Sequence, residues 1–222
     1  MVEKSGWMYT RVKRMIKKIV ALFLCGFSIG CLAEDSVETV MQRMKPKTAV
    51  QIAYQETRTM GLFDEDWQGS GYLYATLPNT MLKQQLKPDR EMMAAEGRQL
   101  TYYKPANQTY HHTQLDESNP MMASLVAFKA MLTGNLVALR QMYQLKFSTT
   151  ESSWTLEMTA KEHESDATPL KIIMQGISAE AANNMQVILP DGDRSTYVLS
   201  QPQQGRAIQQ HMQELLQSLK NH

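Results

Sequence analysis

The segment from residue 68 to residue 112 constrains the fold of this chain more than any other. Turn-forming residues recur there about every 8 to 12 positions, between runs that favour β-strands. This spacing is typical of short strands connected by tight turns in an antiparallel meander. The turn signals are, in chain order, Gly69 and Gly71, Pro78-Asn79, Lys87-Pro88-Asp89, Glu96-Gly97 and Lys104-Pro105-Ala106-Asn107.

The run GYLYATL at residues 71–77 shows which faces such a sheet would have. Successive side chains on a strand point to opposite faces, so Leu73, Ala75 and Leu77 share one face. Two tyrosines and a threonine share the other. An apolar face of small and medium side chains suits a sheet that curves around something, which favours binding over catalysis.

The first 33 residues are expected to be a targeting segment. Six lysines and arginines precede the apolar run 19–33, an order typical of a secretory signal peptide. The apolar run is shorter than the roughly 20 residues that span a bilayer. We expect cleavage after Ala33 and export to the periplasm, with the start at Met1, Met8 or Met15 left open.

Both cysteines, Cys25 and Cys31, lie in this segment. The exported chain would therefore have no disulfide and would depend on its hydrophobic core. The residues before Cys31, Ser28-Ile29-Gly30, partly resemble the motif that directs cysteine lipidation, although Ser28 replaces the usual Leu. An ordinary cleaved signal is favoured, and a lipid-anchored protein is the alternative.

The charge balance of the exported chain disfavours nucleic acid as a partner. Of 23 Lys/Arg and 22 Asp/Glu residues, the targeting segment holds six and one, which leaves 17 basic and 21 acidic residues and a net charge of −4. A mildly acidic surface repels a polyanion. About 190 residues suffice for one domain with a sizeable core, and we expect a soluble monomer.

Three segments in the first two thirds of the chain predict helices, the last of them only a turn or two at residues 136–143. Residues 36–45 begin with a capping serine and end before Pro46. Asn119-Pro120 precedes residues 121–132, which are apolar on nearly every side. A helix this apolar must be covered almost all round, so it is either an ordinary core helix or a lid across the mouth of a curved sheet.

The last third is predicted to return to strands. Residues 153–160 alternate between apolar and polar, and further strands are predicted at 170–177, 185–189 and 194–199. Residues 200–205 are predicted to be a linker. Residues 206–220 predict an amphipathic helix whose apolar stripe is Ile208, Met212, Leu215, Leu216 and Leu219.

The residue patterns that accompany catalysis or metal binding are missing from the sequence. There is no nucleophile elbow, no zinc-protease motif, no paired Cys-x-x-Cys and no phosphate loop. The acidic run 64–66 lacks the ligand spacing of a calcium loop. His111 and His112 would point to opposite faces of a strand and cannot chelate one metal easily. We expect no enzyme activity, no metal and no cofactor.

Short motifs recur in a fixed order along the chain. The first half carries Gly71-x-Leu73, Pro78-Asn79, Lys87-Pro88-Asp89, Gly97 and Tyr103-x-Pro105. The second half carries Leu132-x-Gly134, Phe147, Trp154-x-Leu156 and the run Gly192-Asp193-Arg194-Ser195-Thr196-Tyr197. This order resembles that of the LolA family, the periplasmic carriers of outer-membrane lipoproteins. The resemblance covers about residues 49–200, and the C-terminal tail is not associated with it.

The resemblance implies both a fold and a function. The fold is mainly β with a helical lid (α+β): an unclosed, strongly bent antiparallel half-barrel of roughly ten strands, with helices on its concave side. The function is that of a periplasmic carrier, or chaperone, that shields acyl chains of a lipoprotein or lipid in a hydrophobic cavity and delivers the cargo toward the outer membrane. Its partners would be the acylated cargo, an inner-membrane donor complex and an outer-membrane acceptor.

Two alternatives to this function stay open. One is a membrane-tethered acceptor that resembles LolB, which shares the fold. The other is a carrier for a non-lipoprotein lipid, such as an aryl-polyene-type lipid.

Two departures from the family pattern indicate a divergent member. The family has an arginine just before Pro-Asn, tied to holding and releasing the lid, where this chain has Leu77. It also has an aromatic residue where this chain has Lys83. The cargo need not therefore be a triacylated lipoprotein.

Methionine content points to an adaptable apolar site. Of the 17 methionines, 14 follow residue 33, and methionine side chains adapt to irregular ligand surfaces. Met92 is expected beside Met93 near the cavity. The residues predicted to line a lipid-binding cavity are Leu73, Ala75, Leu77, Met81, Met93, Leu125, Phe128, Met131, Leu132 and Met174.

The expected organisation is a signal peptide at 1–33, a lipid-binding half-barrel domain at 34–200, and a linker with an amphipathic helix at 201–222. Within the domain, a charged residue at Ala75 is expected to impair lipid binding more than folding. Changes at Trp154 or Leu156 are expected to cost mainly stability.

Overall fold

The computed structural model describes residues 35–61, 65–115, 125, 129–161 and 168–220. The targeting segment predicted at 1–33 lies outside the described residues, as does most of the apolar segment 121–128. The strands are β1 (Val50–Thr59), β2 (Trp67–Thr76), β3 (Thr80–Lys87), β4 (Glu91–Glu96), β5 (Gln99–Lys104), β6 (Thr109–Gln114), β7 (Tyr143–Thr149), β8 (Ser153–Ala160), β9 (Lys171–Ile177), β10 (Ala182–Ile188), β11 (Arg194–Leu199) and β12 (Gln203–Gln204). The helices are α1 (Val37–Met44), α2 (Leu136–Met142) and α3 (Arg206–Lys220), with a 3₁₀ turn at Pro105–Asn107 and helical residues at 125 and 129–132.

All twelve strands belong to one antiparallel sheet. Its order is β6-β5-β4-β3-β2-β1-β11-β10-β9-β8-β7, and β12 pairs with β1. Two meanders, β1–β6 and β7–β11, are thus joined by the pairing of β1 with β11, in which Tyr54 lies opposite Leu199. Strands β6 and β7 form the two edges, so the sheet is unclosed. The predicted mainly β, unclosed antiparallel fold is confirmed.

The main core lies on the face that carries the even-numbered residues 50–54 of β1. Trp154, Leu156 and Met158 of β8 belong to the same cluster, as do Leu73 and Ala75 of β2. The residues of β2 and β8 in this cluster occupy the alternating positions that the sequence pattern assigned to one face. The ring of Trp154 packs on Gly176, where an added Cβ would lie 2.5 Å from the ring.

Helix α1 covers part of this face. Ser36 caps its N-terminus in a capping box with Thr39, and Val40, Met41 and Met44 are buried against the strands. Asp35, just before the cap, pairs with Arg43 and accepts hydrogen bonds from Ser178 Oγ and Ala179 N at 3.1 Å. These contacts tie the start of the domain to the β9–β10 turn.

Helix α2 and helical residues 129–132 add to the cover of the same face. Ala130, Met131, Leu132 and Leu139 are buried in the main core. An ion pair of 2.6 Å between Arg140 and Glu38 joins α2 to α1. The prediction of helices on the inner face of the sheet therefore holds for α1, α2 and this short segment.

Helix α3, whose position on the sheet was not predicted, packs on the opposite face. Its residues Met212 and Leu219 are buried in a second cluster with Tyr74, Leu82 and Ala94. The apolar stripe predicted for residues 206–220 is present, and it covers the tyrosine side of β2 that the sequence left without a partner. The predicted linker is also more ordered than expected, since Gln203–Gln204 forms β12.

No helix within the described residues has both the length and the apolar character needed to cross a bilayer.

Candidate functional site

A cavity of about 620 Å³ lies on the inner face of the sheet. Its wall includes residues of β1–β6 together with residues of β10 and β11. Strands β6 and β10 are seven steps apart in the strand order, about 33 Å in a flat sheet. They share one cavity because the sheet bends strongly toward this face, which makes it the concave one.

Apolar side chains form much of the cavity wall. Leu73 and Met81 are each 1% exposed, and they separate the cavity from the main core. Four of the nine apolar residues are methionines, whose flexible side chains adapt to the shape of a ligand. The apolar lining residues are Met60, Leu73, Met81, Met93, Leu100, Leu125, Met185, Val187 and Leu189.

A buried carboxylate interrupts this apolar wall. Glu56 on β1 is 1% exposed. Its Oε1 accepts hydrogen bonds from Arg58 Nε at 2.6 Å and Tyr197 Oη at 2.8 Å. Its Oε2 accepts a hydrogen bond from Lys83 Nζ at 2.6 Å. Both oxygens are satisfied, as a buried charge requires, and two cations share this one carboxylate.

The register of the strands explains how these side chains meet. Lys83 on β3 lies opposite Leu73 of β2, whereas Glu56 on β1 lies opposite Gly69, so the lysine reaches the carboxylate along a diagonal across β2. In the same strand, Gly71 lies opposite Tyr54. Because these two glycines put no side chain on the concave face of β2, the lysine can reach across to the carboxylate. A Cβ on Gly71 would also collide with the Gln84 carbonyl oxygen, at 1.9 Å.

Electrostatics favour the charged form of the carboxylate in spite of its burial. Burial alone would raise the pKa of Glu56, but the charge of Lys83 and the hydrogen bonds from Arg58 and Lys83 hold the pKa below its usual value. Burial lowers the pKa of Lys83, and attraction to Glu56 opposes this shift. Burial also raises the pKa of Tyr197, which keeps this phenol a hydrogen-bond donor to the carboxylate.

Aromatic rings hold both cations in place. The guanidinium carbon of Arg58 lies 4.3 Å from the centroid of the Trp67 ring. Lys83 Nζ lies 4.9 Å from the Tyr54 ring centroid and 5.4 Å from that of Tyr197. Cation–π contacts of this kind favour a fixed orientation of the charged group.

Another carboxylate in the cavity wall, Glu91, shares a lysine with Asp89. Lys104 Nζ lies 3.0 Å from Glu91 Oε1 and 2.9 Å from Asp89 Oδ2. Glu91 therefore forms its ion pair on the β4–β5 side of the site. Arg58 and Lys83 share Glu56 as their direct ion-pair partner, and Glu91 adds a longer-range attraction to both.

The site offers non-covalent binding. Within the part of the chain that the structure describes, no three His, Cys, Asp or Glu side chains are grouped to hold a metal ion. His111 lines the cavity and stacks on Tyr102, with ring centroids 6.3 Å apart. Its neighbour His112 instead contacts Thr101, with 3.1 Å between Nδ1 and Oγ1. The arrangement suits an apolar ligand that carries a polar group.

Four of the ten residues predicted to line the cavity do so, namely Leu73, Met81, Met93 and Leu125. Four others, Ala75, Met131, Leu132 and Met174, are buried in the adjoining main core. The structure thus brings the predicted residues to one face, but only some of them reach the open volume.

The remaining two predicted residues are Leu77 and Phe128. Strand β2 ends at Thr76, so the alternation stops before Leu77, which is 42% exposed and lies outside the cavity lining. Phe128 lies outside the described residues. Met92 is a further correction, because it packs on the α3 side of the sheet, as its position next to Met93 requires.

Glu56, Arg58 and Tyr197 were not predicted as members of the site. The sequence did contain a signal for Glu56, because Val50, Ile52 and Tyr54 in β1 are followed at the same spacing by this glutamate. A charge at a buried position of a strand indicates a partner across the sheet. Lys83 was noted only as a departure from the family pattern.

Comparison with solved structures gives several matches at low sequence identity. A LolA superfamily protein of Nitrosomonas europaea aligns with a TM-score of 0.42 and 8% identity, covering 76% of this chain and 91% of that one. A DUF1329 family protein of Desulfovibrio piger aligns with a TM-score of 0.47 and 10% identity, covering 77% of this chain and 91% of that one. Among curated proteins, no match to the sequence is found.

Comparison with protein families assigns most of the chain. The family described as "Outer membrane lipoprotein carrier protein LolA" matches residues 48–213. This match extends beyond the predicted limit near residue 200 and includes the first half of α3, so the C-terminal helix is partly within the family region. The match covers well over half of the sequence, and the chain belongs to the LolA family.

Proposed function

We propose that this protein is a periplasmic carrier that shields acyl chains of a lipoprotein or lipid in its concave cavity and delivers them toward the outer membrane. The observation that carries the proposal is the cavity of about 620 Å³, walled by apolar side chains, in a member of a lipoprotein carrier family. Binding sites for small molecules are typically 300 to 1,000 Å³ and mostly apolar.

The apolar lining supplies the driving force for cargo binding. Each methylene group moved from water into such a cavity contributes about 0.8 kcal/mol. A chain of several methylenes therefore offsets the loss of translational and conformational freedom on binding. Leu73, Met81 and Met185 would contact the chain along its length.

The packing around the cavity supports reversible binding. Leu125 lines the cavity and also packs beside Ala95, Leu100 and Leu115. Nearby, Lys129 Nζ donates to the Gly97 carbonyl oxygen in the β4–β5 turn. We infer that the helical residues at 125 and 129–132 belong to the lid that the family resemblance implies. Displacement of this lid would admit cargo and would weaken net binding enough for release.

Mass spectrometry of the purified protein under native conditions tests the proposal. The expected spectrum shows the intact protein chain with a non-covalently bound acyl lipid that is lost on collisional activation. A fluorescent fatty-acid probe should then bind the delipidated protein and be displaced by an unlabelled acyl lipid. The absence of both the co-purified lipid and probe binding would refute the proposal.

The same measurement addresses the two alternatives. A covalent diacylglycerol on Cys31 would identify a membrane-tethered acceptor. A bound lipid that contains no peptide, recovered in place of lipoprotein, would identify a carrier of a lipid product. Turnover of the added lipid would instead indicate an enzyme.

A further inference from the structure

At one place in the cavity wall, Arg58 and Lys83 share a single buried carboxylate, and the free donors of Arg58 point to the chemistry of the cargo. We propose that Arg58 and Lys83 bind an anionic group, a carboxylate or a phosphate, at the polar end of the amphiphile whose acyl chain lies in the cavity. This inference rests on the proposed carrier function and specifies the ligand for the same site.

The cluster of Arg58, Lys83 and Glu56 carries a net positive charge. Glu56 neutralises one of the two cations within 2.6 Å, so the group of three side chains keeps one positive charge. Glu91 shares Lys104 with Asp89, at 3.0 and 2.9 Å, and the cavity wall also contains Asp193 and Arg194, so the positive charge is local to this cluster. A second anion at the cluster would complete a balanced set of two cations and two anions, which is the arrangement that favours burial of charges.

The geometry of Arg58 is a further observation. It contacts Glu56 through Nε alone, and its guanidinium plane is fixed by the Trp67 ring. Among the described residues, neither terminal nitrogen of Arg58 has a hydrogen-bond partner. These nitrogens form a fork that matches the two oxygens of a carboxylate or phosphate. The side chain is thus oriented and retains free donors.

The gradient of exposure gives the direction of approach. Side-chain exposure is 40% for Arg58, 16% for Lys83 and 0% for Glu56. An anion entering the cavity would therefore meet Arg58 first, while Glu56 lies beneath the two cations and orients them. Glu56 is a positioning residue in this arrangement. The apolar wall that includes Leu73 and Met81 begins next to the cluster and would receive the attached chain.

A matched series of ligands with one chain length tests the inference. The protein is expressed from its full-length sequence, purified and delipidated. Binding of dodecanoate, dodecyl phosphate and dodecanol at neutral pH is measured by isothermal titration calorimetry. We expect the wild type to bind at least one of the two anions about tenfold more tightly than the alcohol, because a charge-assisted hydrogen-bond pair replaces a neutral contact. The tighter of the two anions identifies the head group as a carboxylate or a phosphate.

Substitution of Arg58 distinguishes the proposed contact from a general effect of charge. Arg58→Gln should remove the preference for the anions and leave dodecanol binding unchanged, whereas Arg58→Lys should restore part of it. Arg206→Gln, at an exposed position that begins α3 on the opposite face, is the matched control and should keep the full preference. Thermal melts of the three variants establish that each is folded.

Each result has a distinct consequence. Equal wild-type affinity for the alcohol and both anions would overturn this inference and leave the carrier function standing. A preference for the anions that persists in Arg58→Gln would also overturn it. Failure of the wild type to bind any of the three ligands would refute the carrier function, and the inference with it.

Discussion

Lys83 Nζ lies 2.6 Å from Glu56 Oε2, and this ion pair joins β3 to β1 across the two glycines of β2. The lysine occupies a position where the family resemblance implies an aromatic residue. The departure is therefore compensated within the site, because β1 supplies a buried carboxylate that partners the lysine. In this chain a charged group therefore lines the cavity at this position.

Removal of one partner should reveal how strongly the fold depends on this pair. Lys83→Met keeps the length of the side chain but leaves Glu56 with Arg58 and Tyr197 only. Breaking a buried ion pair in this way typically costs about 3 to 5 kcal/mol of the free energy of unfolding. Urea denaturation followed by tryptophan fluorescence measures the change.

The control for this substitution removes both charges. Glu56→Gln combined with Lys83→Met should recover much of the loss, since no uncompensated charge then remains between these two positions. If the double variant is as unstable as the sum of the two single variants, the pair is not energetically coupled and the interpretation of the contact is wrong.

Acid stability should depend on the buried carboxylates. Burial opposes ionisation of Glu56, but its cationic partners hold its pKa below the ordinary value of 4.5. Asp35 behaves in the same way. Burial would raise its pKa, but the hydrogen bonds from Arg43, Ala179 and Ser178 hold the pKa below the ordinary aspartate value of 3.8. The unfolded chain therefore binds these protons more readily than the folded one. Their contribution to stability is complete above the unfolded pKa and is lost as the pH falls through the lowered folded pKa.

Glu56→Gln tests this sign directly. The variant should be less stable than the wild type at neutral pH, and its free energy of unfolding should fall less steeply below about pH 5. Denaturation series at several pH values give the two slopes. Parallel slopes for variant and wild type would contradict the assignment of the acid-sensitive contribution to Glu56.

Helix α3 should stabilise the sheet without taking part in cargo binding. Met212→Ala removes a side chain that is 1% exposed and packed with Tyr74 and Leu82, so it should cost about 2 to 4 kcal/mol. The neighbouring exposed Gln213→Ala should change stability by less than about 0.5 kcal/mol. Affinity for a fatty-acid probe should be equal in both folded variants. A selective loss of probe binding in Met212→Ala would place α3 at the cargo site.

The alternation of residues along single strands was sufficient to predict much of this fold. Val50, Ile52 and Tyr54 in β1, and Trp154, Leu156 and Met158 in β8, face the core as their spacing requires. Turn chemistry and the order of short motifs predicted the antiparallel, unclosed sheet and the family. Local patterns of this kind are encoded within a few residues of one another, which is why they can be recognised in the sequence.

Contacts between distant strands account for what was missed. The meeting of Glu56 with Tyr197 depends on the pairing of β1 with β11, which are far apart in sequence. The apolar stripe of α3 predicted burial but not which face of the sheet it covers. Ala75 illustrates the consequence. It shares the predicted face yet is fully buried against the core. A charged residue at this position should therefore unfold the protein. A substitution that tests ligand binding in the cavity must be made at another position.

Adjacent methionines on β4 provide that test. Met93 lines the cavity, whereas Met92 packs on the α3 side, and both are half-buried. Glutamine matches methionine in length but carries an amide that loses its hydration when an acyl chain covers it. This loss costs about 1 to 3 kcal/mol, so Met93→Gln should bind a fatty-acid probe about 5-fold to 150-fold more weakly. Met92→Gln should bind the probe as the wild type does and should lose stability instead. Probe titrations and thermal melts on the two variants separate the effects, and equal affinities in Met93→Gln and the wild type would mean that the acyl chain does not occupy this cavity.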